Sequence, residues 1–294
     1  MSAPHLLLAL AVIVVWGTNF VIIKLGLGEL PPLLFATLRF FFSFFPWLLF
    51  VRRPPVAWRW LAANGLFLGF GLFGLLFIAM RADISPGVAS LVVQTQAFFT
   101  IGLSMLLLAE RLRAFQAAGL ALCVAGLGML FLHVDASLTA RGLLLTLCAG
   151  LSWACANLVA KRVGKVDILG FMVWSSLFAV PPLLAASLAF EGPARIASAL
   201  AQADWLGWSA SIWQGVANTL FGYGAWNWLL ARYPSATVSP LSLLVPVVGM
   251  ATAALAFAEP LPSWKLEAGG LVMLGLATLT LWPRLRAAWA ARAA

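Results

Sequence analysis

The chain contains 294 residues, of which 63% are hydrophobic and only 9% are charged, and its formal net charge is +9. Charged residues make up about a quarter of an ordinary globular chain, so this composition excludes a typical water-soluble protein and favours one that lies in a lipid bilayer. Three cysteines, an odd number, exclude a disulfide framework, and no Cys or His spacing typical of structural zinc occurs. The Lys and Arg residues are scattered through short gaps between apolar runs, which argues against a nucleic-acid partner.

Ten apolar runs follow one another along the chain. The hydrocarbon core of a bilayer is about 30 Å thick and a helix rises about 1.5 Å per residue, so a spanning helix needs about 20 mainly apolar residues. We therefore predict an all-α integral membrane protein with ten transmembrane helices. In chain order, predicted spans 1 to 10 cover approximately residues 5–24, 32–51, 60–80, 86–109, 114–133, 141–160, 168–190, 208–230, 236–258 and 264–282.

The connections between these spans are short and leave no room for a soluble domain. The longest gap, residues 191–207, has room for a short interfacial helix. A removed signal peptide is the alternative interpretation of span 1. This run lacks a basic segment before it and a small-residue cleavage site, and it contains Trp16 and Asn19. We expect it to be part of the mature protein.

The distribution of basic residues predicts the orientation in the membrane, because cytoplasmic loops are enriched in Lys and Arg. If the ten spans alternate in direction, the side that carries the amino terminus collects most of the basic residues. These are Arg52, Arg53, Arg59, Arg111, Arg113, Lys161, Arg162, Lys165, Arg232, Arg284, Arg286 and Arg292. The opposite side has only Lys24, Arg81, Arg141, Arg195 and Lys265. We predict that both termini are cytoplasmic.

The two halves of the chain resemble each other. In span 1, Trp16 precedes Lys24 by eight residues, and in span 6 Trp153 precedes Lys161 by the same distance. An Asn follows each Trp, three residues later in span 1 and four residues later in span 6. Internal similarity of this kind in a membrane protein is typical of transporters. Accidental similarity between Leu- and Ala-rich helices is the alternative.

A second pair of motifs supports the repeat. Span 4 ends in Ala-Glu110-Arg-Leu and span 9 ends in Ala-Glu259-Pro-Leu. Each repeat then holds five spans, and because five is odd the second copy must be inverted relative to the first. We predict a first five-helix repeat over residues 1–135 and a second, inverted repeat over residues 136–294. This arrangement suits a structure that opens alternately to either side around one central site.

These features resemble the EamA-type members of the drug/metabolite transporter superfamily. The resemblance rests on the ten spans in two halves, Trp16 with Asn19, Arg39 in span 2, and Glu110-Arg-Leu followed by a Gly-containing span 5. It covers nearly the whole chain and is greatest for the YddG-type amino-acid exporters. The resemblance implies a central cavity lined by spans 1, 3, 4, 6, 8 and 9, with spans 5 and 10 packed at the periphery.

The sequence departs from the family pattern at two places. The family often has a proline thirteen residues before the Glu of span 4; Pro246 fits this pattern in span 9, whereas Ala97 occupies the position in span 4. Arg39 has no basic counterpart in span 7, where Trp174 is nearby. Gating roles therefore need not be equal in the two halves.

Uncharged amides within the spans are the first candidates for ligand contacts. A polar side chain in hydrocarbon is costly unless it faces water or another helix, so such residues line cavities or join helices. Amides both donate and accept hydrogen bonds, which suits a zwitterion, while indole faces accommodate an apolar group or a cation. The predicted substrate-binding residues are Trp16, Asn19, Gln94, Trp153, Asn157, Gln214, Asn218 and Tyr223. Simple helix-to-helix bonding is the alternative for each amide.

Other residues within the spans are candidates for gating or structural roles. Arg39 is the one strong charge well inside a span, and we expect a structural or gating role for it rather than ligand contact. Lys24 and Lys161 end their spans, where such side chains commonly extend to the membrane surface. Pro246 in span 9 permits a kink, as do glycines in two other spans. These are Gly69, Gly71 and Gly74 in span 3 and Gly222 and Gly224 in span 8.

Several mechanisms find no support in the sequence. All nine acidic residues lie in loops or at span ends, which argues against a carboxylate proton relay through the membrane. No clustered acids, His pair or P-loop pattern is present, so we expect neither an enzyme, nor a metal site, nor direct use of ATP. We expect no cofactor.

The sequence favours a secondary transporter of the bacterial inner membrane that exports amino acids or related small amphipathic metabolites by alternating access. A multidrug or hydrophobic-cation efflux carrier is the alternative, followed by a channel or a membrane scaffold without transport. The expected partners are a small-molecule substrate and membrane lipid. The sequence leaves the coupling ion and the oligomeric state open, and a monomer is among the alternatives.

Overall fold

The computed structural model describes residues 1–108, 113–133, 138–233 and 235–293, and these residues are almost entirely helical. No β-strand occurs among them; one isolated bridge joins Ile84 to Leu138. Long helical runs follow the order of the predicted spans and are numbered accordingly. They are α1 (Ala3–Glu29), α2 (Pro32–Phe44), α3 (58–82), α4 (86–108), α5 (Ala114–Leu132), α6 (Ala140–Val163), α7 (Ile168–Phe190), α8 (205–232), α9 (235–257) and α10 (Ser263–Ala293).

Nine helical runs of the described residues are long and apolar enough to cross a membrane, which makes this a multi-pass membrane protein. The run α8 is not one of the nine. It is as long as the others, but its Trp, Gln and Asn residues lower its hydropathy. A tenth crossing by α8 and cytoplasmic placement of both termini stay predictions. A short helix, Pro193–Gln202, occupies the longest gap between the predicted spans.

Helices α3 and α8 depart from regular α-helical geometry at matching places. Each contains a π-helical segment after a first α-helical stretch: Gly65–Gly74 follows Trp58–Asn64 in α3, and Gln214–Phe221 follows Trp205–Trp213 in α8. π-helical segments are rare in proteins, and those that occur are often found at functional sites. The glycines of span 3 and the Gly222 and Gly224 pair in α8 predicted irregularity in these two spans, although not its π-helical form.

Helices α4 and α9 share a second irregularity. Both are interrupted near their amino-terminal ends by a 3-10 turn, Val93–Thr95 in α4 and Ser239–Leu243 in α9. A 3-10 turn within a helix often marks a hinge, because its backbone hydrogen bonds have poorer geometry than those of an α-helix and its side chains three residues apart are eclipsed. The two halves therefore repeat their irregular segments as well as their helix order.

The packing of the helices is also related by exchange of the two halves. The most extensive contacts join α5 to α10, α3 to α6, α1 to α8, α4 to α6, α1 to α9 and α2 to α7. Exchanging each helix for its counterpart five positions away leaves the α5–α10 and α2–α7 pairs unchanged. The same exchange converts the α3–α6 pair into the α1–α8 pair and the α1–α9 pair into the α4–α6 pair. This symmetry means that both halves contribute to a shared centre.

Glycines permit the closest of these approaches. A Cβ atom on Gly119 of α5 would lie 2.9 Å from the carbonyl oxygen of Gly275 in α10, and one on Gly126 would lie 2.8 Å from that of Ala268. Small residues allow helix backbones to approach in membrane proteins, where packing and not hydrophobic exclusion drives association. The α5 and α10 pair is therefore held by direct backbone contact.

Two acidic residues at helix ends fix the amino termini of neighbouring helices. Glu191, after α7, accepts hydrogen bonds from the backbone N–H groups of Leu33 (2.6 Å) and Leu34 (2.9 Å) at the start of α2. Carboxylates stabilise helix amino termini, where backbone N–H groups lack partners. Glu259, after α9, plays the same part for α4. Its first-repeat counterpart, the Glu110-Arg111-Leu112 motif, lies outside the described residues.

The contacts of Glu259 form a small buried network. It accepts from the backbone N–H of Gly87 at 3.2 Å and from the hydroxyl of Ser85, and it pairs with Lys265 of α10 at 3.4 Å. The Lys265 side chain is only 2% exposed. Because a buried charge needs a partner, this ion pair links α9 and α10 to the start of α4.

Candidate substrate cavity

A cavity of about 230 Å³ lies between helices of both halves. Its wall contains side chains of α1, α3, α4, α6, α8, α9 and α10, which are Trp16, Asn19, Phe20, Leu72, Phe73, Leu76, Val93, Gln94, Gln96, Trp153, Asn218, Tyr223, Ser242, Leu243, Val245, Leu276 and Thr280. The resemblance implied the first six of these helices. Its placement of span 10 at the periphery was incomplete, because Leu276 and Thr280 of α10 also reach the cavity.

Aromatic rings cluster on the α1 and α8 side of the cavity. The indole N–H of Trp16 donates to the backbone carbonyl of Asn218 at 3.1 Å, and its ring centre lies 5.5 Å from that of Tyr223 and 5.3 Å from that of Trp226. Gly222 makes room for this indole, since a Cβ there would collide with it. The absence of a side chain at Gly222 of α8 therefore leaves the space that the Trp16 indole occupies.

Amides provide the hydrogen-bonding capacity of the wall. Asn19 is 5% exposed, and its Oδ1 has no partner among the described residues. A buried acceptor without a partner is costly, so this atom is available to water or a ligand. Gln94 and Gln96, on either side of Thr95 in the 3-10 turn of α4, also line the cavity.

Asn157 acts on the cavity indirectly. Its Nδ2 donates to Oε1 of Gln96 at 2.7 Å and to the hydroxyl of Thr100 at 3.1 Å, which joins α6 to α4. Asn157 is not part of the cavity wall, but it holds Gln96, which is. In this structure Asn157 therefore makes a helix-to-helix bond, the alternative that the sequence left open, and a ligand contact by Asn157 stays a prediction.

Arg39 of α2 lies beside the cavity and is 1% exposed. Its guanidinium donates to Oε1 of Gln214 and to the hydroxyl of Thr219 at 3.3 Å, and its carbon lies 3.6 Å from the ring centre of Phe73. Gln214 is completely buried against Arg39 and is not a lining residue. Phe73 belongs to the wall, so Arg39 forms a layer directly behind it.

The remaining gating candidates lie away from the cavity wall. Lys24 donates to the backbone carbonyls of Met80 (3.1 Å) and Arg81 (3.2 Å), which lack helical partners at the end of α3. This contact fits a structural role. Lys161 lies in the last turn of α6. Pro246 is buried near the start of the α-helical segment Leu244–Phe257, directly after the 3-10 turn of α9. Gating by these residues stays a prediction.

The structure thus brings together six of the eight predicted substrate-binding residues, Trp16, Asn19, Gln94, Trp153, Asn218 and Tyr223. The prediction omitted Phe20, Phe73, Gln96, Ser242 and Thr280. Gln96 carried a signal, since it belongs to the set of amides within spans. The two Phe residues and the two hydroxyls carried none that distinguishes them from the many others.

The chemistry of the wall is neutral. Its lining contains amides, hydroxyls, indoles and phenyl rings, and within the described residues it contains no Asp, Glu, Lys, Arg or His side chain. No group of three His, Cys, Asp or Glu residues in the described part of the chain has the arrangement of a metal site. Such a wall offers hydrogen bonds and ring contacts to a small molecule.

Comparison with known proteins assigns the family. The model of the EamA-like transporter family matches residues 3–132 and again residues 140–281, one copy in each half. The chain is 42% identical over 285 residues to a protein of Salmonella typhimurium named "Probable amino-acid metabolite efflux pump", and 41% identical to a protein of Escherichia coli (strain K12) of the same name. In both cases 94% of each chain is covered.

A solved crystal structure has the same fold. It aligns with a TM-score of 0.60 at 20% sequence identity, over 97% of this chain and 99% of the other. At this identity the likeness concerns the fold alone. The family model that matches each half, together with the relatives above, shows that the chain belongs to the EamA-like transporter family.

Proposed function

We propose that this protein is a secondary transporter of the bacterial inner membrane that exports amino acids or related small amphipathic metabolites by alternating access. The observation that carries the proposal is the cavity itself, which both repeats line with amides and aromatic rings. The names of the two relatives support efflux and this class of substrate.

The size and lining of the cavity fit such a substrate. At about 230 Å³ it is smaller than most sites for drug-sized ligands, which occupy roughly 300–1,000 Å³. An amino acid presents a charged, hydrogen-bonding end and, in many cases, an apolar side chain. Asn19 and Gln94 offer donors and acceptors for the first, and the indoles of Trp16 and Trp153 offer surfaces for the second.

The irregular segments of the helices suit a structure that changes shape. The π segments of α3 and α8 and the 3-10 turns of α4 and α9 all supply or adjoin residues of the cavity. Movement of one half against the other around a central site is the general design of carriers built from inverted repeats. In our proposal these segments are the points at which the helices bend.

Counterflow in proteoliposomes tests the proposal. Vesicles loaded with unlabelled leucine, phenylalanine or threonine should accumulate the same radiolabelled amino acid faster than unloaded vesicles, and uptake should saturate. A scaffold gives no uptake, and a channel gives no acceleration by the internal substrate. Absence of accelerated exchange for every amino acid tested would overturn the proposal.

The aromatic lining favours one second candidate, a carrier of hydrophobic cations. Cations are attracted to the faces of Trp and Tyr rings, and Trp16, Trp153 and Tyr223 all reach the cavity. Tetraphenylphosphonium belongs in the same assay. Exchange of this cation without exchange of any amino acid would establish the second candidate instead.

A further inference from the structure

We propose that Arg39, acting through Asn218, selects the carboxylate end of the substrate, so that the protein carries carboxylate-bearing molecules and rejects their cationic amides. This inference rests on the proposed function and narrows its substrate class. Arg39 is a positioning residue here, because it lies behind the cavity wall and reaches the cavity through a neighbour.

Arg39 is a buried positive charge that the described part of the protein does not neutralise. It is 1% exposed, and it forms no ion pair with any Asp or Glu of the described residues. Its partners are neutral groups, Gln214, Thr219 and the ring of Phe73. A buried cation is costly unless it is paired, so an anion that arrives from the cavity gains what the protein itself does not supply.

Asn218 connects this charge to the cavity. The hydrogen-bonding groups around the Asn218 side chain favour the amide orientation in which its oxygen faces Arg39. In that orientation the oxygen accepts hydrogen bonds from Nη2 of Arg39 at 2.8 Å and from Nη1 at 3.1 Å. In a planar amide, an oxygen held in this way turns the NH₂ group away from the guanidinium. Asn218 is a lining residue, so the donor that remains for a ligand is an N–H polarised by a cation behind it.

A second residue of the cavity wall, Phe73, also contacts the guanidinium of Arg39. Phe73, whose ring lies 3.6 Å from the Arg39 carbon, is itself part of the cavity wall. The described wall holds no ionised group of its own, so Arg39 supplies the positive charge nearest to Asn218 and Phe73. Because Coulomb energies are larger in a poorly polarisable interior than in water, this charge favours a carboxylate and disfavours a cation.

The test compares amino acids with their carboxamides, which keep the side chain and the ammonium but lack the negative charge. Leucine, phenylalanine and threonine and their amides compete against counterflow of whichever radiolabelled amino acid the full-length protein exchanges best. The wild-type protein should prefer the acid by at least about tenfold, the scale of one charge-assisted interaction.

Two variants separate charge from structure. Arg39→Gln removes the cation, and Asn218→Asp keeps the shape of the side chain but places a carboxylate beside Arg39, which neutralises it internally. Both should lower the preference for the acid by about tenfold or more, the same single interaction being lost. Arg39→Lys, which retains the charge, should keep most of the preference. Arg141→Gln removes a 71% exposed arginine at the start of α6, outside the cavity wall, and serves as the matched control.

The outcomes are distinct. If the wild-type protein exchanges amino acids but does not distinguish them from their amides, or if Asn218→Asp keeps the wild-type preference, the inference is wrong while the proposed function stands. If no amino acid is exchanged, the proposed function itself fails. Should Arg39→Gln not yield a monodisperse protein, Asn218→Asp decides the question, because it retains Arg39 and adds an opposite charge to it.

Discussion

Replacement of Trp16 tests the cavity most directly, because this residue both lines the wall and joins α1 to α8. Trp16→Phe keeps a ring and loses the indole hydrogen bond to the Asn218 carbonyl, whereas Trp16→Ala also loses the ring contacts with Tyr223 and Trp226. Trp205 is 77% exposed, and Trp205→Ala therefore provides a matched loss of an indole elsewhere.

The structure gives the scale of each effect. One such hydrogen bond contributes about 1 kcal/mol net, and each ring pair contributes about 0.5–1.5 kcal/mol. Trp16→Phe should therefore lower the free energy of unfolding by about 1 kcal/mol, and Trp16→Ala should lower it by about 2–4 kcal/mol. Since α1 has many other contacts with its neighbours, the folded yield of both variants should remain largely intact.

The assay joins stability to transport. Equilibrium unfolding in mixed micelles measures the free energy, and counterflow in proteoliposomes measures the flux. We expect transport to fall at least about tenfold in Trp16→Ala, as for the loss of about 1.4 kcal/mol of binding, and to fall less in Trp16→Phe. Trp153→Ala should reduce transport as well, while Trp205→Ala should match the wild-type protein. Unchanged flux in both cavity variants would remove these two indoles from the site.

Three further predictions test contacts between helices. Lys265→Met leaves the carboxylate of Glu259 buried without its cation and should cost about 3–5 kcal/mol of unfolding free energy. The double variant with Glu259→Gln should regain part of this loss. If the costs of the two single variants simply add up in the double variant, the coupling is refuted. Gly126→Val places a side chain against the backbone of Ala268 and should destabilise the protein by about 1–3 kcal/mol, measured by unfolding in micelles, with wild-type stability as the contradicting result. Asn157→Ala frees the amide of α4 that it holds and should weaken substrate affinity by about fivefold, as one lost hydrogen bond does, with little change in maximal flux; an unchanged KM in counterflow would argue against this role.

Local sequence patterns predicted the helices well, because the length of an apolar run and the thickness of a bilayer decide them without reference to the rest of the chain. The two-repeat arrangement followed from short motifs at half-chain spacing. The π segments of α3 and α8 were not predictable in this way. Gly65 and Gly69 of α3 lie against α7, and such contacts between helices set the local geometry.

The residues of the cavity were likewise predicted only in part from the sequence. Periodicity places Trp16 and Asn19 on one face of α1, but it does not say what lies opposite, and Asn157 looked equivalent to Asn19 until its bond to Gln96 was seen. The sequence by itself determined a membrane interior that bears amides and no acidic residue, since composition decides which groups are available. Only the tertiary structure decided which amides face the cavity, and it set Arg39 beside Asn218, because residues that are far apart along the chain meet only when the helices pack.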